Sequence, residues 1–99
     1  MKELLAFAEE CYGDLLQRYA FTEEEATYPI MLKVMEEVGE VSDALLHRND
    51  LQRKTKLEND ADLEGEVMDV LITTLILAKN LKIDVPAAFE RKKAHLRQR

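Results

Sequence analysis

The stretch Glu66-Val67-Met68-Asp69-Val70-Leu71-Ile72-Thr73-Thr74-Leu75-Ile76-Leu77-Ala78 decides the fold of this chain. Between Val67 and Ala78 its only polar residues are Asp69, Thr73 and Thr74. Nothing alternates with the period of a strand, and the segment reads as a helix over roughly residues 62 to 81. A helix that is apolar nearly all round is buried on several sides. A chain of 99 residues and 11.4 kDa is one domain, residues 1–99, and one copy can hardly supply all that cover. Self-association into a dimer or tetramer is therefore expected.

Helical spacing extends outward from that segment. Leu4, Ala8, Cys11, Leu15 and Tyr19 form a stripe flanked by Leu5, Tyr12 and Leu16, which predicts a first helix over roughly residues 2 to 20. Thr22 and Glu25 have the spacing of a capping box and are expected to start a short turn. Pro29 then sits where a second helix can begin, because its missing N–H costs nothing in the first turn. Ile30, Val34, Val38, Val41 and Leu45 carry that helix to about His47. Met31, Met35 and Met68 read as core filler. From Arg48 to Asp60 the sequence is polar and reads as a connecting loop. Asp84 is placed to cap a fourth helix with Pro86 in its first turn, and His47 and His95 fall near helix ends. The fold class is all-α: a small antiparallel four-helix bundle-type protomer, completed by oligomerisation.

Composition removes several function classes. There are 14 Lys+Arg against 20 Asp+Glu, a net charge of −6, which disfavours binding to a nucleic-acid polymer. No apolar run approaches the ~18 residues of a membrane span. The one cysteine, Cys11, allows no internal disulfide and no Cys-based zinc site. Acids at Glu9 and Glu10 do not fit a signal peptide, so a cytoplasmic protein is expected. The charge is uneven: seven basic residues and two acids follow from Lys79 onward, a net of +5. Such a tail either contacts anions or merely complements the dipole of its own helix.

The acids within the apolar runs are the chemical signal. Glu37 and Glu40 project from one side of the second helix, and Glu66 and Asp69 from one side of the third. No Lys or Arg lies between Leu63 and Ala78 to neutralise the second pair. Helices two and three, joined by a loop, would pack antiparallel and bring the pairs face to face. Four carboxylates in a partly dry cleft repel one another and need protons or metal cations. Hard divalent cations take oxygen ligands, and i, i+3 carboxylates on facing helices are a familiar way to supply them. Either pair alone reads as a solvated helix face. Both together, with Asp69 set in an apolar run, read as a site. Gly39, costly in mid-helix, is expected to permit a close approach there, and Gly65 either does the same or lies in the fraying start of the third helix.

The run Lys33-Val34-Met35-Glu36-Glu37-Val38-Gly39-Glu40-Val41, followed by Glu66-Val67-Met68-Asp69-Val70-Leu71, resembles the MazG-like all-α nucleoside triphosphate pyrophosphohydrolases. Their signature is E-E-x-x-E followed, after a variable loop, by E-x-x-D. The similarity continues through Ala78 and the Leu81–Pro86 turn into the last helix. It implies Mg²⁺-dependent hydrolysis of a (deoxy)nucleoside triphosphate to monophosphate and pyrophosphate, with Mn²⁺ as a possible substitute, and a nucleotide-pool-cleansing role. By position, Glu37, Glu40, Glu66 and Asp69 match the metal ligands, and Glu36 matches the acid that orients or deprotonates the attacking water. Lys92 and Arg99 match the basic positions of the family's tail, but Leu96 stands where an Asn is usual. Lys33 either touches phosphate or balances the acids.

The aromatic position found four residues after the motif aspartate in some relatives is Thr73 here. Base stacking would then fall to Phe7, Tyr12, Tyr19, Phe21, Tyr28 or Phe89, each of which reads as a core residue. Two alternatives stand beside this reading. One is phosphoribosyl-ATP pyrophosphohydrolase, which shares the scaffold; the other is a non-enzymatic helical interaction or metal-binding module.

Overall fold

A computed structural model describes the backbone of residues 1–47 and 56–98 and the side chains of residues 1–46 and 62–98. The chain forms α1 (Lys2–Tyr19), α2 (Glu23–His47), α3 (Lys56–Asn80) and α4 (Val85–Arg97), and the described residues contain no strand. This is the all-α architecture the periodicity predicts.

Local chemistry sets the ends of these helices. Ala20 closes α1 in the left-handed region at φ 54°, where the Phe21 N–H reaches the Leu16 carbonyl at 3.1 Å. Two residues later, Thr22 and Glu25 form a reciprocal capping box. The Glu25 N–H donates to Thr22 Oγ1 at 3.1 Å, and the Thr22 N–H donates to Glu25 Oε1 at 2.9 Å. Glu23, Glu24 and Glu25 in the first turn also favour the positive end of the helix dipole. This box starts α2 itself rather than a separate turn, which corrects the expected start at Pro29. Pro29 lies inside the helix, where it cannot donate to the Glu25 carbonyl. Both residues are exposed, so water can serve that carbonyl.

The expected loop from Arg48 to Asp60 is corrected in its second half, because α3 already begins at Lys56. Its first residues include Leu and Glu, which favour helix. Residues 48–55 lie outside the described part. Asp84 caps α4 as expected: its Oδ1 accepts from the Ala87 N–H at 3.2 Å, and Pro86 sits in the first turn.

α3 packs chiefly on α2 and secondarily on α1. Contacts between residues 27 and 80 and between the Glu37 and Glu66 regions run in opposite chain directions, so α2 and α3 are antiparallel. The core gathers Ala8 and Tyr12 of α1, Ala26 and Ile30 of α2, and Ile76 of α3, with Cys11, Leu15, Leu16 and Phe21 against them. α4 buries no residue. The radius of gyration is 16.2 Å, whereas a compact chain of this length has about 13 Å. The protomer is thus open.

That openness overturns several core assignments. Met31, Met35 and Met68 are exposed, as are Val38, Leu45, Val67 and Leu71. Tyr19, Tyr28, Phe7 and Phe89 are exposed too, while Tyr12 is buried and Phe21 packs on the core. The stripes are real, but among the described residues no other element of the same copy covers the half of α2 and α3 remote from α1.

A four-carboxylate cluster between α2 and α3

The antiparallel packing of α2 on α3 brings the two acidic pairs together. Glu37, Glu40, Glu66 and Asp69 each offer a carboxylate oxygen, and these four atoms lie within 4.8 Å of one another. Glu37 is buried at 5% exposure, Glu66 is half-buried, and Glu40 and Asp69 are exposed at the rim. The set is therefore a cleft with a buried floor and an open side.

Its polar bookkeeping is incomplete. Glu37 Oε2 and Glu66 Oε2 are buried and have no hydrogen-bond partner. A buried unpartnered carboxylate oxygen is costly, so each such atom calls for a ligand or a proton. The Glu66 carboxyl is held above the ordinary range, first by a shared hydrogen bond with Glu40, then by burial and by the charges of Glu40, Asp69 and Glu37. Protons and cations thus compete for the same oxygens. An all-oxygen, anionic set of this kind fits a hard divalent cation, and the cluster can hold a metal ion.

Lys33 reaches the cluster from one turn earlier on α2. Its Nζ lies 3.1 Å from Glu37 Oε1 and 3.4 Å from Glu36 Oε1. The bond to Glu37 raises the Lys33 pKa. Glu36 itself lies outside the four-oxygen set, on the solvent flank with its side chain 58% exposed. Lys92 is exposed on α4, and no hydrogen bond or ion pair joins it to the cluster. Arg99 lies outside the described residues.

Other assignments are settled by local contacts. Thr73 donates back to the Asp69 carbonyl at 2.7 Å, tying its hydroxyl into its own helix. A Cβ built at Gly39 or at Gly65 would meet nothing within 4 Å. The close approach expected at Gly39 is therefore not present within the protomer, and Gly65 lies well inside α3 rather than at its frayed start.

One residue escaped the sequence reading altogether. Asn80, at the last position of α3, is buried; its Nδ2 donates to Tyr12 Oη at 3.0 Å and to the Glu23 carbonyl at 2.8 Å. Its Oδ1 accepts from the Thr27 hydroxyl at 2.8 Å. An Asn at a helix end looks like an ordinary cap in sequence, and only the three-helix junction reveals its other use. Beside that junction a groove of about 550 Å³ is lined by Leu5, Glu9, Lys79, Lys82 and Pro86 among others. None of the four carboxylates borders it, and ion pairs Lys79–Glu9 and Lys82–Glu23 span its charges.

Comparison with known proteins agrees with the geometry. The chain is 29% identical over 91 residues to the uncharacterized protein YpjD of Bacillus subtilis (strain 168), covering 92% of this chain and 78% of that protein. No solved structure gives a significant match. The profile of the MazG nucleotide pyrophosphohydrolase domain matches residues 22–99, which takes in both acidic pairs and all of α2, α3 and α4. The four converging carboxylates are thus set in the scaffold of a known hydrolase class, and the chain belongs to the MazG nucleotide pyrophosphohydrolase family.

Proposed function

We propose that this protein is a Mg²⁺-dependent nucleoside triphosphate pyrophosphohydrolase, splitting the bridge between the α and β phosphates of a (d)NTP to release (d)NMP and pyrophosphate. The observation that carries this reading is the pair of buried, unpartnered oxygens, Glu37 Oε2 and Glu66 Oε2, inside a four-carboxylate set. Glu37, Glu40, Glu66 and Asp69 would hold the metal, and Mn²⁺ can substitute because it also suits oxygen ligands. Once bound, the metal supplies charge neutralisation for the phosphates and lowers the pKa of water.

The remaining roles fall to this chain's own groups. Glu36, on the flank of the set, accepts a proton from the attacking water or orients it. Lys92 and Arg99 supply positive charge for the phosphates, and Lys33 stands between phosphate binding and charge balance. With Thr73 tied back to its helix, base stacking would come from an exposed aromatic such as Tyr28 or from none. The uncovered apolar faces of α2 and α3 favour a dimer or tetramer, which would close the open side of the cleft. We assign the protein to cytoplasmic nucleotide-pool cleansing, acting on a canonical or damaged nucleotide.

Pyrophosphate release is the decisive measurement. The full chain is incubated with canonical and oxidised (d)NTPs and with phosphoribosyl-ATP, with and without Mg²⁺. Metal-dependent release from a nucleoside triphosphate is expected, and preferential release from phosphoribosyl-ATP would move the assignment to that branch of the superfamily. No release from any of them with either Mg²⁺ or Mn²⁺ would leave a non-catalytic helical module as the reading. Glu36→Gln should keep metal binding while kcat falls by roughly 10²–10⁴. Glu40→Gln should instead weaken metal affinity and recover partly at high Mg²⁺. Loss of metal binding in Glu36→Gln would make Glu36 a ligand instead.

A further inference from the structure

Lys33 touches the cluster in a way its helix does not require. For an i, i+4 pair the favourable order places the acid before the base, in keeping with the helix dipole. Here the base comes first, Lys33 before Glu37. The pair therefore owes little to the stability of α2 and more to the charge that accumulates around Glu37. The Lys33 ammonium bonds one oxygen of Glu37, leaves the other unpartnered, and touches Glu36 as well. The lysine side chain is half exposed, so it has solvent to retreat into.

We infer that Lys33 is a positioning residue acting as a resident counter-ion: it holds Glu37 and Glu36 in the metal-free site and yields Glu37 when a divalent cation binds. This rests on the reading of the four carboxylates as a metal site. The oxygen of Glu37 that would take such a cation is Oε2, which has no partner. An ammonium 3.1 Å from Glu37 Oε1 would then face a like charge across the same carboxylate. Lys33 gives up that oxygen and keeps Glu36, its i+3 neighbour, so Glu36 stays aligned on the flank after loading. One ammonium thus stands in for part of the metal's charge and afterwards steers the acid assigned to the water.

This makes a signed prediction that a merely structural lysine does not share. Lys33→Met and Lys33→Gln should bind Mn²⁺ more tightly than the wild type by about two- to fivefold, the worth of one half-exposed charge pair. Their metal-free melting temperatures should fall, because the cluster loses its only cationic contact among the described residues. Lys33→Arg should restore both properties. Calorimetric Mn²⁺ titration of the full-length protein, with thermal unfolding in chelator, reads all three variants. Unchanged or weaker Mn²⁺ binding in both neutral variants, beside a wild type that binds, overturns this inference and leaves the metal site standing. A wild type that takes up no Mn²⁺ overturns the metal reading and this inference with it.

Discussion

At the end of the α2–α3 pair where α2 begins, the buried Asn80 amide donates to Tyr12 Oη and the Glu23 carbonyl and accepts from the Thr27 hydroxyl. Roughly 21 Å away along α3, at 1.5 Å per residue, Glu37 and Glu66 each keep a buried oxygen with no partner. The same two helices therefore bury polar groups in opposite ways. A satisfied network fixes where three helices meet and leaves nothing over for a ligand. An unsatisfied one costs stability and retains the capacity to bind. The difference separates the stabilising end of the molecule from the end that we propose as reactive.

The comparison breaks most decisively at Asp69. Asp69→Asn removes an anionic oxygen from the cluster, and activity should fall by more than about 100-fold, beyond the cost of losing an outer-shell partner. Helical content should be kept, and the metal-free protein should melt higher because repulsion is relieved. Wild-type turnover in saturating Mg²⁺ would remove Asp69 from the ligand set.

Asn80 gives the mirror image. Asn80→Ala takes the amide donor from Tyr12 Oη, while Thr27 and the Glu23 carbonyl keep each other at 3.3 Å, and the loss should cost about 1–3 kcal/mol in denaturant unfolding. Activity per folded molecule should stay at the wild-type level. A variant that unfolded normally but lost turnover would mean that the two ends are not separable.

Gly39 sharpens the picture at the reactive end. Its Cβ position is open within the protomer, so Gly39→Ala should stabilise the metal-free chain by about 0.4–1 kcal/mol through helix propensity alone. Destabilisation accompanied by loss of oligomer in sedimentation would show that a second copy approaches Gly39.

The smallest effect lies in the capping box at the stabilising end. The Thr22 N–H, followed by the Thr22 hydroxyl, holds the Glu25 carboxyl below its ordinary pKa. A lowered folded-state pKa stabilises above the unfolded value, and that stability is lost as pH falls through the folded one. Glu25→Gln should thus melt below the wild type at neutral pH, with the gap closing as the solution becomes acidic. A gap independent of pH would show that the charge contributes nothing to the cap.

The acidic half of this contrast is legible in the sequence; the Asn80 half is not. Glu37 with Glu40, and Glu66 with Asp69, are paired by helical geometry alone, and antiparallel packing needs only a short connection. The end of α1 and the Asp84 cap depend on neighbours within one turn, so they too follow from local sequence. Pro29 misled because proline fits a first turn but is also tolerated on an exposed helix face. The capping box that begins seven residues earlier, at Thr22, had the stronger claim on the start of α2.

Sequence by itself determined four helices, an all-α fold and two acidic pairs able to meet, because each depends on a 3.6-residue period and on caps within a turn. It could not rank burial along a stripe. Ile30 and Val38 belong to one helical stripe, yet one is buried and the other exposed, since α1 covers only part of the α2–α3 surface. Tertiary structure alone decided that Asn80 ties three helices and that one oxygen each of Glu37 and Glu66 goes unpartnered. Periodicity tells which side of a helix a residue occupies; whether anything lies opposite it depends on segments far away in the chain.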